Sequence, residues 1–305
     1  MRAARVLVVG SLDDIAVGDV PVPVPDHDQV LVKVDLAALN PIDYKIALWG
    51  HRGGRSYPLT LGFDGVGTVE AIGSAVGSVA VGDRVCLMAD IMAPGTAAEY
   101  VVARERNVAL VPAGIDDVQV AGLPLAGLTA VQAFDIAGLR SGQCVLIHAG
   151  AGGVGHLAIQ IAKQRGATVY ATSSAPHLDL LAALGADHPI DYHATPPGKF
   201  APSVDVVLDT QGGPIAEATV AAMRPGSTHV SIVGFSPADG GRADVRMETM
   251  LVEPRASELA TLVTMIADGS LRVVVDDVTD LGSFATAIAA LHDGHTTGKR
   301  LIAIR

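Results

Sequence analysis

The stretch that decides the fold is CVLIHAGAGGVG, residues 144–155, in which a short apolar run is followed by a glycine-rich turn. Apolar residues then recur at helical spacing until Gly166, so the stretch predicts a strand, a tight turn and a helix. Its glycines satisfy the dinucleotide-binding pattern G-x-G-x-x-G, which permits a tight turn, close approach of a pyrophosphate and close helix packing. A purely structural glycine turn is the alternative, which a second predicted strand at 168–172 disfavours. The candidate cofactor-binding residues in the turn are Gly150, Gly152, Gly153 and Val154.

Composition limits the classes of partner. The 305-residue chain is 50% hydrophobic and 17% charged, which is enough apolar material for two folded domains. Lys and Arg total 21 against 32 Asp and Glu, and the resulting net charge of −11 disfavours nucleic acid or an anionic membrane as the main partner. Its two cysteines lie in apolar runs, which excludes a disulfide framework. With no signal peptide and no membrane-spanning run, we expect a cytoplasmic protein with a small-molecule substrate.

Two periodicities divide the chain. Before about residue 112, turn residues separate short β-like runs, so this part is predicted to be a small all-β unit. These runs lie at 29–36, 65–72, 84–88, 97–102 and 108–111. From residue 144, strands alternate with helices, a pattern typical of a parallel sheet covered on both faces.

The elements predicted in the second half are strands at 168–172, 204–208 and 228–233, and helices at 124–137, at 176–184 and after Pro214. The tail predicts a helix near 257–267, a strand at 271–275, a helix carrying Phe284 and Ile288, and a strand at 300–304. The pattern alone does not assign this last strand to either domain.

Six further motifs occur together with the glycine turn along nearly the whole chain. They are ALNPIDYK (38–45), GFDGVG (62–67), VGDRV (81–85), LPLAGLTA (123–130), LGAD (184–187) and GK (298–299). With them, the chain resembles the medium-chain dehydrogenase/reductase superfamily, and more narrowly its zinc-independent quinone oxidoreductase and enoyl reductase branch. The resemblance implies an α/β fold with a GroES-like β-barrel domain over 1–115, rejoined by about 270–305, and a Rossmann doubly wound parallel-sheet domain over 116–269. It also implies a substrate cleft between the domains and a homodimer.

Residue types at two positions bear on zinc. Zinc-dependent members of the superfamily carry a cysteine at the position of Asn40 and a histidine at that of Phe63. Phenylalanine cannot coordinate a metal, and asparagine is a poor zinc ligand. The four-cysteine lobe expected near residues 90–97 is also missing. The sequence therefore predicts no catalytic metal.

The end of the second strand bears on the choice of cofactor. NAD sites usually carry an acidic residue about twenty positions after the glycines, where it binds the ribose 2′-hydroxyl. Here residues 170–177 read YATSSAPH, with no carboxylate to repel a 2′-phosphate and two serine hydroxyls able to donate to it. We therefore expect NADPH. The resemblance places Ser173, His177 and Tyr192 around the 2′-phosphate, with His177 where relatives often carry lysine. Ser174 is equally a helix start signal, and one residue can serve both roles.

Other cofactor contacts are expected at the nicotinamide end. The resemblance places Thr129 there, although a threonine inside a helix can instead bond its own backbone. Residues 233–235 end a strand, where ligands of open parallel sheets bind. The backbone at Gly234 is thus expected near the carboxamide and Phe235 at the wall of the cleft, with a plain core position as the alternative for Phe235.

The hydride belongs to the cofactor, so the protein must orient and polarise the acceptor. The resemblance puts Asn40, Asp43 and Tyr44 in the cleft as candidate catalytic groups. The Asn40 amide can position the ribose or the acceptor, and the Tyr44 hydroxyl can donate to a carbonyl that becomes an enolate or hydroquinone. For Asp43, a cap or turn acceptor is favoured over catalysis.

Together these features predict a zinc-independent, NADPH-dependent oxidoreductase that transfers hydride to a quinone or to an α,β-unsaturated carbonyl such as an enone, enal or enoyl group. The alternatives are a zinc-type alcohol dehydrogenase and a non-catalytic NADPH-binding or sensing protein. Short-chain dehydrogenases and serine hydrolases are disfavoured because neither Tyr-x-x-x-Lys nor Gly-x-Ser-x-Gly occurs.

Overall fold

The computed structural model describes residues 1–50, 56–234, 242–294 and 296–305. The chain forms two compact units, one made of Met1–Leu128 with Pro254–Arg305 and the other of Thr129–Glu253. None of the described helices has the length and apolarity needed to cross a membrane. Strands and helices are numbered below in chain order.

The first unit is built mainly from antiparallel strands. They are β1 (Arg2–Val6), β2 (Ile15–Asp19), β3 (Gln29–Ala38), β4 (Leu59–Thr60), β5 (Asp64–Ile72), β6 (Arg84–Met88), β7 (Tyr100–Arg104), β8 (Val108–Leu110), β15 (Val275–Asp280) and β16 (Lys299–Ala303). One sheet has the order β2-β1-β4, and the other has the order β15-β16-β3-β5-β6-β8, with β7 also paired to β3. Since β16 runs antiparallel beside β3, the last strand joins the first unit, as the resemblance implies.

The long strand β3 carries the core of this unit. Its alternating Val30, Val32 and Val34 are fully buried, which confirms the predicted apolar face. The register between β3 and β5 shifts at two points, as bulges do where a sheet bends. A Cβ on Gly67 of β5 would lie 2.1 Å from the carbonyl oxygen of Lys33. Glycine at this position therefore allows the two strands to approach closely.

The first unit also contains helices. One of them, at Pro41–Trp49, lies within the part before about residue 112 that is predicted to be all-β and corrects that prediction, whereas the two tail helices lie where the sequence predicts them. The helices of this unit are α1 (Pro41–Trp49), α2 (Asp117–Ala121), α7 (Ala256–Ala267) and α8 (Phe284–His292). Helix α1 begins after Asn40, which has extended backbone angles, and proline at the first helical position has a φ suited to a helix. The Asp43 carboxylate accepts the Asn40 backbone N–H at 2.8 Å, as in one half of a capping box. Residues 40–43 thus carried a helix start signal inside a β-rich region.

The strand predicted at 271–275 lies instead at β15. Leu271 and Val273 are buried, as the apolar pattern suggests, but they are not paired with a strand. The side-chain amide of Gln119 takes the place of a neighbouring strand: Val273 N–H donates to its Oε1 at 2.8 Å, and its Nε2 donates to Val273 O at 3.1 Å. A distant side chain thus pairs with the backbone N–H and C=O of Val273. The local apolar pattern could not distinguish this segment from a strand, because it does not show which group pairs with the backbone.

The second unit is a parallel sheet with helices. Its strands are β9 (Cys144–Ile147), β10 (Thr168–Ser173), β11 (His188–Asp191), β12 (Val206–Asp209), β13 (Thr228–Ser231) and β14 (Arg246–Thr249). Its helices are α4 (Gly155–Gln164), α5 (Leu178–Ala183) and α6 (Gly213–Ala222), with the later part of α3 (Pro124–Ala137). The strand order is β11-β10-β9-β12-β13-β14, the doubly wound order of dinucleotide-binding sheets. The prediction omitted β11 and β14, which are short edge strands with few apolar residues and so lack the continuous apolar run of a central strand.

Candidate cofactor and active site

The glycine turn lies between the end of β9 and the start of α4. Gly150 N–H donates to the Thr172 carbonyl at 2.7 Å, and Gly152 N–H donates to the Ala149 carbonyl at 2.9 Å. A Cβ on Gly155 would lie 2.2 Å from the Ala149 oxygen, so only glycine fits where the helix begins. The sequence predicted this compact turn from its glycines alone.

The position of the turn in the sheet matches that of a ligand site. Strand order reverses at β9, which lies between β10 on one side and β12 on the other. Ligands of open parallel sheets bind beyond the carboxyl ends of the strands at such a point, and the N-terminus of the following helix favours phosphate. The residues of the turn therefore fit the pyrophosphate of a dinucleotide.

The structure brings four predicted residues to the carboxyl ends of β10 and β11. Ser173 is the last residue of β10, and its carbonyl accepts the N–H of Tyr192 at 3.2 Å. The carbonyl of Ser174 accepts the N–H of His177 at 3.0 Å, and the Tyr192 side chain is exposed. Asp191, which sequence reasoning did not consider, pairs in register with Ser173, and its carboxylate accepts the N–H of the residue two positions on.

The predicted nicotinamide-end residues lie in the second unit. Thr129 is buried within α3, at 4% exposure. Gly234 follows β13 with a φ of +89°, a conformation that glycine adopts readily. Phe235 lies outside the described residues.

In the first unit, a buried hydrogen-bonded cluster surrounds Asn40. Its Nδ2 donates to Asp64 Oδ2 at 2.9 Å, and its Oδ1 accepts from Lys299 Nζ at 2.5 Å. Lys299 Nζ also donates to Asp64 Oδ2 at 3.0 Å. These side chains are at most 2% exposed. Lysine can only donate and an ionised carboxylate can only accept, so the network fixes which end of the Asn40 amide faces each partner.

Asp64 connects several elements of the first unit. Besides Asn40 and Lys299, its carboxylate accepts the backbone N–H of Leu125 in the first turn of α3 at 2.6 Å. A carboxylate at this position also interacts favourably with the positive end of the helix dipole. Asp64 and Lys299 were missed as site residues, although both occur in the motifs at 62–67 and 298–299. The available signal was a lysine beside the apolar run of β16.

Asp43 adjoins this cluster and is fully buried. Its two carboxylate oxygens accept from the N–H groups of Asn40 and Gly62, each at 2.8 Å. Burial raises the pKa of Asp43 to about 7, while the two backbone hydrogen bonds and Lys299 oppose that rise and Asp64 adds to it. The carboxyl group thus fastens the start of α1 to the turn before β5.

Tyr44 packs against α8 at the surface of the same core. Its ring meets that of His292 edge to face, with centroids 5.0 Å apart. Partial burial raises the pKa of Tyr44, so its hydroxyl stays protonated at neutral pH and can donate a hydrogen bond. The structure therefore joins Asn40 and Asp43 in one cluster and gives Tyr44 a separate ring contact.

Comparisons with known proteins agree with this architecture. Family models for an alcohol dehydrogenase GroES-like domain and for a zinc-binding dehydrogenase match residues 26–113 and 184–302. The chain is 31% identical over 307 residues to a chloroplast envelope quinone oxidoreductase homolog of Arabidopsis thaliana, covering 93% of this chain and 92% of that protein. It belongs to the medium-chain dehydrogenase/reductase superfamily.

Two further relatives identify the branch of this superfamily. The chain is 35% identical over 298 residues to a chloroplastic NADPH-dependent alkenal/one oxidoreductase of Arabidopsis thaliana, covering 93% of this chain and 74% of that protein. The structure of the quinone oxidoreductase from Coxiella burnetii aligns with a TM-score of 0.93 and 34% identity, covering 100% and 99% of the two chains. The predicted quinone oxidoreductase and enoyl reductase branch is confirmed, and the chain is an oxidoreductase.

One of the two matching family models is that of a zinc-binding dehydrogenase, but the residues around Asn40 do not fit a zinc site. The Asn40 amide is already bonded to Lys299 and Asp64, and Phe63 offers no ligand atom. A lysine ammonium within this cluster adds a positive charge that repels a metal ion. Among the described residues, no group of three His, Cys, Asp or Glu side chains is arranged to hold a metal.

Proposed function

We propose that this oxidoreductase uses NADPH to reduce quinones or α,β-unsaturated carbonyls, without a catalytic metal. The end of β10 is the observation that carries the cofactor choice. Ser173 and Ser174 stand where NAD sites usually carry a carboxylate. His177 and Tyr192 lie on the adjoining segments. These groups offer hydrogen bonds to a 2′-phosphate. The name of the NADPH-dependent alkenal/one relative supports the same choice.

The bound cofactor would supply the hydride, and the protein would supply binding and orientation. In this proposal, the backbone of the glycine turn and the first turn of α4 hold the pyrophosphate. Thr129 and the Gly234 backbone bind the nicotinamide end. The Asn40 amide, fixed by Lys299 and Asp64, positions the ribose or the acceptor.

For the proton side of the reaction, we assign Tyr44 as the hydrogen-bond donor to the acceptor oxygen. A tyrosine hydroxyl is protonated at neutral pH, as a donor to a developing enolate or hydroquinone oxygen must be, and the burial that raises the pKa of Tyr44 favours the same state. Asp43 instead holds the start of α1, because both of its oxygens accept backbone N–H groups. This role agrees with the cap predicted from the sequence.

A cofactor-switch experiment tests the NADPH assignment. Ser174 is half-buried, so an aspartate there remains partly solvated and repels a 2′-phosphate. We expect Ser174→Asp to weaken NADPH binding at least tenfold while NADH binding changes little, and the matched Ser174→Ala variant to weaken NADPH only about threefold. Equal NADPH and NADH affinities in the unaltered protein would contradict the assignment.

A substrate panel tests the reaction. Quinones, enones, enals and simple ketones are offered with NADPH, and nicotinamide absorbance is followed in parallel with elemental analysis. Oxidation of NADPH by quinones or conjugated carbonyls in zinc-free protein supports the proposal. Stoichiometric zinc that is lost together with activity favours the zinc-type alcohol dehydrogenase. Binding of NADPH with no acceptor reduced favours a sensing protein.

We also propose that the enzyme acts in the cytoplasm and that it forms a homodimer, the latter as the resemblance implies. Its two cysteines are unpaired, which suits a reducing compartment. Light scattering on the purified protein tests the dimer, and fractionation of the source cells tests the location.

A further inference from the structure

Ala149, in the glycine turn, has an unfavourable backbone conformation. Its φ is +49°, and it is the single non-glycine residue with a left-handed φ in the part of the chain that the structure describes. Such angles crowd an L side chain, so they persist only where surrounding contacts enforce them. The Ala149 carbonyl in turn accepts the N–H of Gly152 and lies against Gly155. The shape of the whole turn therefore depends on this residue.

The contact that holds the Ala149 N–H comes from β10. The N–H donates to Thr172 Oγ1 at 3.3 Å, and the carbonyl of the same threonine accepts the N–H of Gly150 at 2.7 Å. Thr172 Oγ1 also lies 3.5 Å from Nδ1 of His148, whose Nε2 lies 3.1 Å from Thr219 Oγ1 on α6. His148, Thr172 and Thr219 are at most 3% exposed.

The donors along this path can be assigned one by one. The Thr219 hydroxyl donates to the Ile215 carbonyl one turn earlier in α6, at 2.7 Å, so its oxygen is left to accept from His148. His148 Nε2 must then carry the proton, and the unprotonated Nδ1 of the neutral ring accepts from the Thr172 hydroxyl. The Thr172 oxygen keeps a lone pair for the Ala149 N–H. Each hydrogen atom points away from the glycine turn and toward α6.

The assignment requires a neutral His148. Burial lowers the pKa of His148 to about 4; among the groups facing it, Asp209 raises the pKa and His229 lowers it. The ring is therefore uncharged throughout the physiological pH range, and the chain of hydrogen bonds does not change with pH there.

We infer that His148, Thr172 and Thr219 are positioning residues that hold Ala149 in its left-handed conformation and so preset the glycine turn for the pyrophosphate of the dinucleotide. The inference rests on the proposed cofactor. It extends the binding determinants beyond the glycine pattern to a hydroxyl 23 positions after Ala149. Preorganisation of this kind strengthens binding because the turn need not be ordered when the ligand arrives.

The test compares two ligands in three variants. Thr172→Val removes the hydroxyl and keeps the shape, Thr172→Ser keeps the hydroxyl, and Ala149→Gly removes the strain. We expect Thr172→Val to weaken NADPH about tenfold and Thr172→Ser less than threefold. Binding of 2′-AMP, which has the 2′-phosphate but no pyrophosphate, should change less than twofold in both variants, as measured by calorimetry.

A double-mutant cycle separates positioning from general stability. Glycine adopts a left-handed φ without supporting contacts. Thr172→Val in the Ala149→Gly background should therefore weaken NADPH binding less than threefold. Two results would overturn the inference and leave the proposed function standing. One is an equal loss of NADPH affinity on Thr172→Val in the unaltered and Ala149→Gly backgrounds. The other is a lower melting temperature of Thr172→Val with unchanged NADPH affinity. Absence of dinucleotide binding in the unaltered protein would overturn the proposed function and the inference together.

A measurement on the unaltered protein adds a test that requires no variant to fold. Long-range proton–nitrogen NMR correlation reports which nitrogen of the His148 ring is protonated. We expect the proton on Nε2. A proton on Nδ1 would reverse the donor assignment and overturn the inference.

Discussion

Replacing Lys299 by methionine tests how strongly the buried Asp64 carboxylate depends on its cation. Methionine keeps most of the apolar stem and removes the ammonium, which is 2% exposed and lies 3.0 Å from Asp64 Oδ2. Among the described residues, the hydrogen-bond donors that remain for the carboxylate are the Asn40 amide and the Leu125 N–H, in a site with no exposure to water. Removing one partner of a buried ion pair typically costs about 3–5 kcal/mol, because the other charge stays buried.

Thermal unfolding followed by calorimetry is the assay. For a unit of this size, the expected loss corresponds to a melting temperature lower by roughly 6–20 °C. Lys163→Met is the matched control, since Lys163 Nζ is paired with Asp187 at 2.8 Å but about a third of each side chain is exposed. An exposed pair of this kind contributes at most about 1 kcal/mol.

A second variant separates the charge from the lost contacts. Lys299→Met combined with Asp64→Asn removes both charges while keeping the volume, so it should recover more than half of the loss. A destabilisation by Lys299→Met no greater than that by Lys163→Met would refute the reasoning. So would a double variant that is less stable than Lys299→Met alone.

Three further substitutions change the stability of the first unit at other sites. Asp43 has a pKa of about 7 in the folded state and 3.8 in the unfolded state, so between these values the folded state keeps a proton that the unfolded state releases. Through this group, the free energy of unfolding should fall by about 1.4 kcal/mol per pH unit from pH 4 to 7. Asp43→Asn should remove that pH dependence, as measured by urea unfolding at several pH values. Gly67→Ala places a Cβ against the β3 backbone and should lower the free energy of unfolding by about 3 kcal/mol, as measured in urea. The control is Gly77→Ala, which has open space around the new Cβ and should change the free energy of unfolding by less than about 0.5 kcal/mol. Gln119→Leu removes the amide that pairs with the buried N–H and C=O of Val273, so it should lower the free energy of unfolding by about 2–3 kcal/mol. A loss below about 0.5 kcal/mol would show that the amide does not stabilise this segment.

Local patterns predicted those elements whose residues specify them without distant partners. Helix α3 begins and ends where its period does, and β3 buries the valines that alternate along it. The glycine turn was predictable because sterics alone exclude side chains, as at Gly155. Its family resemblance then supplied what no local pattern holds, including the return of β16 to the first unit.

Long-range polar contacts account for what the sequence did not predict. Gln119 lies 154 positions from the backbone that it satisfies, and Lys299 lies 259 positions from Asn40. The local sequence does not distinguish a buried lysine from an exposed one, because burial depends on which strands become neighbours in the fold. Periodicity therefore predicted the scaffold of the candidate site, while the Asp64–Lys299 pair required the three-dimensional structure.

The Asp64–Lys299 pair also bears on whether the first unit can bind a metal ion. Asn40 and Phe63 argue against zinc by ligand type alone, which leaves open how the buried Asp64 carboxylate is neutralised. The structure gives the answer within the chain, because Lys299 provides the cation and in doing so orients the Asn40 amide. A metal ion brought to this cluster would have to displace an ammonium that is already bonded to both side chains. The positive charge near Asn40 is thus a fixed part of β16, so it is independent of metal supply and depends on the folding of the C-terminal strand.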